Sequence, residues 1–374
     1  MKKDIVGLIF TGERIDQMRD LTRTRAVAAL PMLGRYRMID FMMANMIHSG
    51  MHNVGIIMQK NYHSLMDHLG SGREWDMHGK RSGMTILPPY MSSDNFGAYE
   101  GLLDALRSNL NFMRRSTERY IAVSDSYILF NTDYEKMLEE HLANNADITL
   151  LYSKHRNARR NGAGVYLELD GESRVKQLEI APGIPRYENT YLSSFIMRRE
   201  LLIDMVDRAA SSGYHHFTRE LLNQILRENY YKVFACECKE KVWILDSVDS
   251  YFKTNMDFLD PDNRVRIFDR NKPVWTKLRD EMPALYAQGA SVSNSLIADG
   301  CVIEGQVENS ILFRGVSIKK GAVVKNSIIM QDAFIQRNVE VQNCILDKQV
   351  IVRENVRLVS SPTYPIVVSK NSTI

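Results

Sequence analysis

Four cysteines in 374 residues exclude a disulfide-built fold. Cys236-x-Cys238 is neither a redox C-x-x-C nor half of a usual zinc site, and Cys301 and Cys344 stand alone. These thiols are expected to be buried or at strand edges. Net charge is equally sparse: 48 Lys and Arg against 45 Asp and Glu leave +3, with no long basic run, which argues against a nucleic-acid surface. The apolar run after Met-Lys-Lys-Asp covers six residues, Ile5 to Phe10. That is shorter than a signal-peptide core and far short of the ~20 residues of a membrane span, so a cytoplasmic protein with no membrane partner is expected. Glycine is scarce where a phosphate loop needs it, since Gly12 alone stands between Thr11 and Met18. A strand-to-loop junction that cradles phosphates relies on several glycines, because a backbone without Cβ turns tightly and aims its N–H groups at the anion.

What is present is a chain of 44% hydrophobic and 25% charged residues, long enough for two buried cores. Residues 1 to 258 alternate short apolar strands with amphipathic helical stretches, the pattern of an α/β domain with a mostly parallel sheet. Strands are expected at 5–10, 54–58, 120–124, 147–152 and 191–197, and helices at 36–48, 98–115, 133–144, 199–210 and 216–228. Ligands bind such sheets at the carboxyl ends of the strands, where the loops at 11–18 and 125–131 fall.

The C-terminal part follows another rule. Asn-Ser-Leu-Ile at 294, Asn-Ser-Ile-Leu at 309, Asn-Ser-Ile-Ile at 326 and Asn-Cys-Ile-Leu at 343 recur at intervals of 15, 17 and 17. Aliphatic residues recur every six positions: Leu312, Ile318, Val324; Ile329, Ile335, Val341; Leu346, Val352, Leu358. Three such steps make about one turn of a three-sided parallel β-helix, in which stacked coils bury what no single repeat can. The β-helix is expected over 291–374, and 259–290, with Pro261, Pro273 and Pro283, reads as a connector.

The segments L-T-x-x-R-A at 21–26, G-R-Y-R-M-I-D-F at 34–41, S-G-M-x-x-V-G-I-I-M-Q at 49–59 and D-x-Y at 125–127, followed by a hexapeptide region, resemble bacterial ADP-glucose pyrophosphorylase (glucose-1-phosphate adenylyltransferase) over nearly the whole chain. The resemblance implies a Rossmann-like, nucleotide-diphospho-sugar transferase-like α/β domain followed by a left-handed β-helix. It implies a tetramer that joins ATP to glucose 1-phosphate in glycogen synthesis under the control of anionic metabolites. The departures matter as much as the match. The family's A-G-G-x-G-T-R-L loop reads T-G-E-R-I-D-Q-M here, and a carboxylate such as Glu13 beside a triphosphate costs about 1–4 kcal/mol per close charge pair. The lysine and proline of R-A-K-P-A are Val27 and Ala28, Glu-Lys-Pro is Ile180-Ala181-Pro182, and the second metal aspartate aligns to Ile244, with Asp246 two residues on. Phosphoryl chemistry depends on positioning and charge neutralisation, and one lost donor slows it about 10²–10³-fold.

The altered pattern resembles the D-type, regulatory and catalytically weak subunit that accompanies a catalytic paralogue. Gly12, Tyr99, Gly164 and Ser193 then match vestigial substrate positions, Asp125 is the remaining ligand for Mg²⁺, and no catalytic residue is assigned. Arg25, Arg35 and Arg37 are candidates for an anionic sugar-phosphate or nucleotide effector, since the planar guanidinium fork suits phosphate. The expected partner is a catalytic subunit in a hetero-oligomer. The competing readings are an active Mg²⁺-dependent adenylyltransferase, a β-helix used purely for assembly, and an acyltransferase. The last needs a histidine near the coils, and none follows His216.

Overall fold

The computed structural model describes residues 4–12, 18–79, 82–89, 99–155 and 164–374. The altered loop residues Glu13 to Gln17 lie outside them. The chain forms two compact units: Met1–Arg14, Ala26–Ala28 and Phe41–Ile244; and Ile15–Arg25, Ala29–Asp40 and Leu245–Ile374.

The first unit is built on a mixed, mostly parallel nine-stranded sheet. Its strands are β1 (Ile5–Phe10), β2 (Val54–Ile57), β3 (Met84–Leu87), β4 (Tyr120–Asp125), β5 (Ile148–Ser153), β6 (Val165–Leu169), β7 (Val175–Ile180), β8 (Asn189–Arg198) and β9 (Val233–Glu237). The spatial order is β7-β6-β8-β4-β1-β2-β3, with β5 paired to β8 and β9 to β5. β1 runs parallel to both β2 and β4, and all six of its side chains are buried, which is why its sequence is continuously apolar rather than alternating. Gly7 lets helix α1 (Met38–His48) pack closely on the strand, since a Cβ there would lie 2.6 Å from Met46 Sδ and displace that side chain. The helix expected over 98–115 is two pieces, α2 (Leu102–Ser108) and α3 (Leu110–Arg115). They part at Asn109, whose side-chain amide donates to Ala105 O at 2.8 Å. The expected helix at 133–144 is α4 (Tyr134–Ala143) and the one at 199–210 is α5 (Arg199–Ser211). The helix expected at 216–228 starts as a wider π turn, Phe217–Leu222, where the Glu220 carboxylate accepts the N–H groups of His215 and His216 at 2.6 and 2.7 Å.

In the second unit, five strands on each of three faces stack in parallel as the left-handed β-helix expected from the repeats. The predicted aliphatic columns are its interior: Ile303, Ile318, Ile335 and Val352 are in register, as are Ile297, Leu312, Ile329, Leu346 and Val368. The Asn motif marks four coils and the structure has five: the last, Ile351–Val352, Arg357–Val359 and Ile366–Val368, carries no such motif, and the first opens at Leu285–Tyr286, inside the stretch read as connector. That stretch also holds a helix, Pro261–Ile267, capped by Asp260, and the unit includes the preceding helix Val248–Asp257. Asn294, Asn309, Asn326 and Asn343 turn each coil at φ of 41°, 45°, 43° and 54°, the left-handed region that asparagine tolerates best after glycine. Beside them runs a hydroxyl ladder. Ser310 Oγ and Ser327 Oγ each accept the N–H of the next coil at 3.1 Å, from Ser327 and Cys344.

Candidate functional site

β1 ends opposite Ile57 of β2 and Asp125 of β4, so Thr11-Gly12, Met58-Gln59 and Ser126-Tyr127 gather past the carboxyl edge of the parallel strands. Thr11 is tied down there, with its N–H and hydroxyl both on Ile57 O at 3.1 and 2.8 Å. A Cβ on Gly12 would lie 2.5 Å from Gln59 Cδ and 2.7 Å from Phe10 Cζ. The surviving glycine therefore makes room for Gln59, a buried side chain whose amide donates to Tyr99 O at 3.0 Å. Tyr99 is itself buried. At the edge of this region Ser193 sits in a β-bulge, where the register of β8 on β5 slips between Tyr191 and Phe195. Its φ of 49° is strained for serine, and its hydroxyl lies 3.0 Å from Tyr127 OH. Gly164 accepts the Ala181 N–H at 2.8 Å, and Ala181 is exposed at φ 46°, presenting a methyl group where the family motif carries lysine.

The donors for a divalent metal fall short of the family pair. Asp125 is buried at the end of β4, but the second position, Ile244, pairs with Ile128 and presents a buried alkyl chain. Among the described residues no three Asp, Glu, His or Cys side chains converge. Asp246 belongs to the second unit, where its N–H donates to Ser250 Oγ at 3.0 Å. The positions aligned with the family's metal pair thus supply one carboxylate, Asp125, and one alkyl chain, Ile244.

The three candidate effector arginines differ in burial and partners. Arg25, only 3% exposed, holds both carboxylate oxygens of Asp347 at 2.8 Å through Nη2, and its Nη1 lies 3.8 Å from Met330 Sδ. Its charge is thus matched within the second unit by the Asp347 carboxylate. Arg37 is buried beside Lys348, and burial, followed by the Arg37 and Arg25 charges, pulls the Lys348 ammonium down to about 7 while Asp347 opposes. Arg35 stands apart, exposed, with its guanidinium 6.0 Å over the Tyr36 ring. Reading the sequence missed Asp347 and Lys348. A signal was there, because the stacked positions before them are Phe313 and Met330, and an acid in that apolar column asks for a buried partner.

Comparison with known proteins agrees with this architecture. A family model described as Nucleotidyl transferase matches residues 6–260, and one described as GlmU-like, C-terminal hexapeptide matches 284–362. The chain is 31% identical to the glucose-1-phosphate adenylyltransferase of Geobacillus stearothermophilus, over 87% of this chain and 84% of that protein. It is 31% identical to the glycogen biosynthesis protein GlgD of Bacillus subtilis, over 85% and 81%. Against the GlgD of Geobacillus stearothermophilus it is 32% identical, over 87% and 84%. With both domains matched and this identity along most of its length, the chain belongs to the nucleotidyl transferase family, among the glucose-1-phosphate adenylyltransferases and their GlgD relatives.

Proposed function

We propose that this chain is a regulatory, catalytically weak subunit of a glucose-1-phosphate adenylyltransferase in glycogen biosynthesis, acting on a catalytic paralogue within a hetero-oligomer. The observation that carries the reading is Ile244 packed on Ile128, where a second metal-binding carboxylate is needed. The methyl group of Ala181 extends it, since it offers no positive charge where the family motif carries lysine. Catalysis of nucleotidyl transfer needs donors aimed at the reacting phosphates, and such losses act together rather than singly. Gly12, Tyr99, Gly164 and Ser193 would then shape a vestigial pocket, with Asp125 as the one carboxylate kept at the family's metal positions.

The regulatory part falls to the cations of the second unit. Arg37 and Lys348, steered by the Arg25–Asp347 pair, would receive an anionic sugar phosphate or nucleotide, whose charge offsets the burial and, after it, the Arg37 and Arg25 repulsion that depress the Lys348 ammonium. Assays of ADP-glucose and pyrophosphate formation by this chain alone, and by a catalytic homologue with and without it, test the proposal. The expected result is little activity alone and a shifted substrate affinity or effector response in the mixture. Steady turnover by the chain alone would instead favour an active adenylyltransferase, and a mixture identical to the homologue would end the regulatory reading.

A further inference from the structure

We infer that the second unit carries a binding groove for a neutral oligosaccharide, floored by the amides of Asn294, Asn309, Asn326 and Asn343 and walled by Phe252 and Met256. It uses none of the residues assigned to the effector above and stands whether or not that reading holds.

The groove lies between one corner of the β-helix and the helix Val248–Asp257, with a volume of about 540 Å³. Sites for small ligands are concave and mostly apolar, with a few placed polar groups, over a range of about 300–1,000 Å³. Phe252 and Met256 on that helix, Leu259 and Pro261 just beyond it and Pro362 from the last coil supply the apolar wall. Among the described lining residues the one charged side chain is Asp260, and its carboxylate caps the helix Pro261–Ile267 by accepting the Asp262 N–H at 3.0 Å. An anion finds no counter-charge in such a groove, and a neutral ligand is the kind that fits.

The floor carries more than the backbone asks for. Its four asparagines lie at φ between 41° and 54°, a region that glycine holds without strain, and the other left-handed corners vary in residue type: Gly300, Gly315, Asp332 and Gln349 along one, Gly321, Asn338 and Asn355 along another. The corner that faces the groove keeps an amide through four successive coils. Nor do these amides close on one another as a ladder. Asn294 Nδ2 donates to Asn309 Oδ1 at 2.6 Å and Asn343 Nδ2 to Ser360 O at 2.7 Å, but among the described residues neither Asn309 Nδ2 nor the side-chain amide of Asn326 has a hydrogen-bond partner. An amide both donates and accepts, and so does a hydroxyl, so a sugar satisfies the row with its hydroxyl groups while its C–H face covers Phe252 and Met256. Coils stack about 4.8 Å apart, and three such steps give a row of about 14 Å, longer than one sugar ring. Several linked rings match it.

The test is calorimetric titration of the full chain with maltotriose, cellotriose and glucose in separate arms. Saturable binding of a trisaccharide is expected, with glucose weaker by about tenfold or more because it reaches fewer of the amides. A preference between the two trisaccharides would name the linkage that the groove takes. Asn309→Gly with Asn326→Gly removes two amides and keeps the left-handed corners, so the variant should melt near its parent yet bind the trisaccharide about tenfold more weakly, as for two lost hydrogen bonds. Met256→Ala, on the opposite wall, should weaken binding several-fold through lost apolar contact. Absence of saturable binding, glucose bound as tightly as a trisaccharide, or binding that both variants leave unchanged overturns the site. Should the double glycine variant fail to fold, Met256→Ala decides alone.

Discussion

Replacing Arg25 separates a structural tie from an effector ligand. Its guanidinium holds both oxygens of Asp347 at 2.8 Å, and the two side chains are 3% and 4% exposed. Arg25→Met leaves that carboxylate buried without its main counter-charge, a change that costs about 3–5 kcal/mol in comparable pairs. The lower half of the range applies, because Asp347 Oδ1 also accepts the Lys348 N–H at 2.7 Å and the Lys348 ammonium is near. A loss of about 3 kcal/mol is a large share of the 5–15 kcal/mol that holds a typical domain together. Arg25→Met with Asp347→Leu removes both charges, and apolar replacement of a buried pair is near neutral, so most of the loss should return.

Urea unfolding followed by circular dichroism measures the three variants. An unfolding midpoint for Arg25→Met equal to the parent's would refute the argument, since the pair would then carry no buried charge worth matching. The double variant is then mixed with a catalytic homologue. An effector response within a fewfold of the parent is expected, because the charge of Arg25 is committed to Asp347; loss of response at restored stability would make Arg25 a direct ligand.

Lys348 gives a pH signature. Its folded pKa of about 7 lies below the ordinary 10.5, so between these values the unfolded chain binds the extra proton and stability rises with pH. Thermal melts from pH 7 to 10 should show that slope, and Lys348→Met should flatten it. An anion on Lys348 raises its pKa, so effector affinity should fall as pH climbs from 7 to 9, with proton uptake visible in titrations run in two buffers. In the hydroxyl ladder, Ser327→Ala strands the buried Cys344 N–H held at 3.1 Å and should cost about 1–3 kcal/mol by urea midpoint. At the sheet end, Gly12→Ala pushes a Cβ to within 2.5 Å of Gln59 and should cost about 1–3 kcal/mol, most of it recovered by adding Gln59→Ala. No recovery would mean that Gln59 is not what Gly12 makes room for.

The parts of the fold that could be read in the sequence were those whose burial sets a period. Columns such as Leu312, Ile329 and Leu346 repeat because each coil presents the same face to one interior. β6 and β7 escaped because their faces are half-wet and carry Glu168, Lys176 and Glu179, so no apolar run marks them. β9 is short and largely buried; it pairs with β5 and bridges Arg174 through Phe234. At the site, departures from a motif showed which charges were missing but not what took their place. Gln59 over Gly12 is a contact between residues 47 apart (59 − 12), and Arg25 meets Asp347 across 322 positions. Neither separation leaves a trace in local composition.

The two units also differ in what their electrostatics leave unresolved. In the first, two positions that are charged in the family motif are neutral: the exposed Ala181 stands for a lysine and the buried Ile244 for an aspartate. In the second, charge is held at a cost, since Lys348 sits beside Arg37 and Arg25, and Arg314 sits beside Arg35 and Arg279 with two nitrogens unpaired. A unit serving only as scaffold gains nothing from such arrangements, because apolar residues of similar volume would stabilise it more. Buried like charges are compensated when an anion arrives, and the binding energy then includes the repulsion it removes. Charge held at such a cost in the coils is what the proposed regulatory role requires of them, since an arriving anion would compensate it.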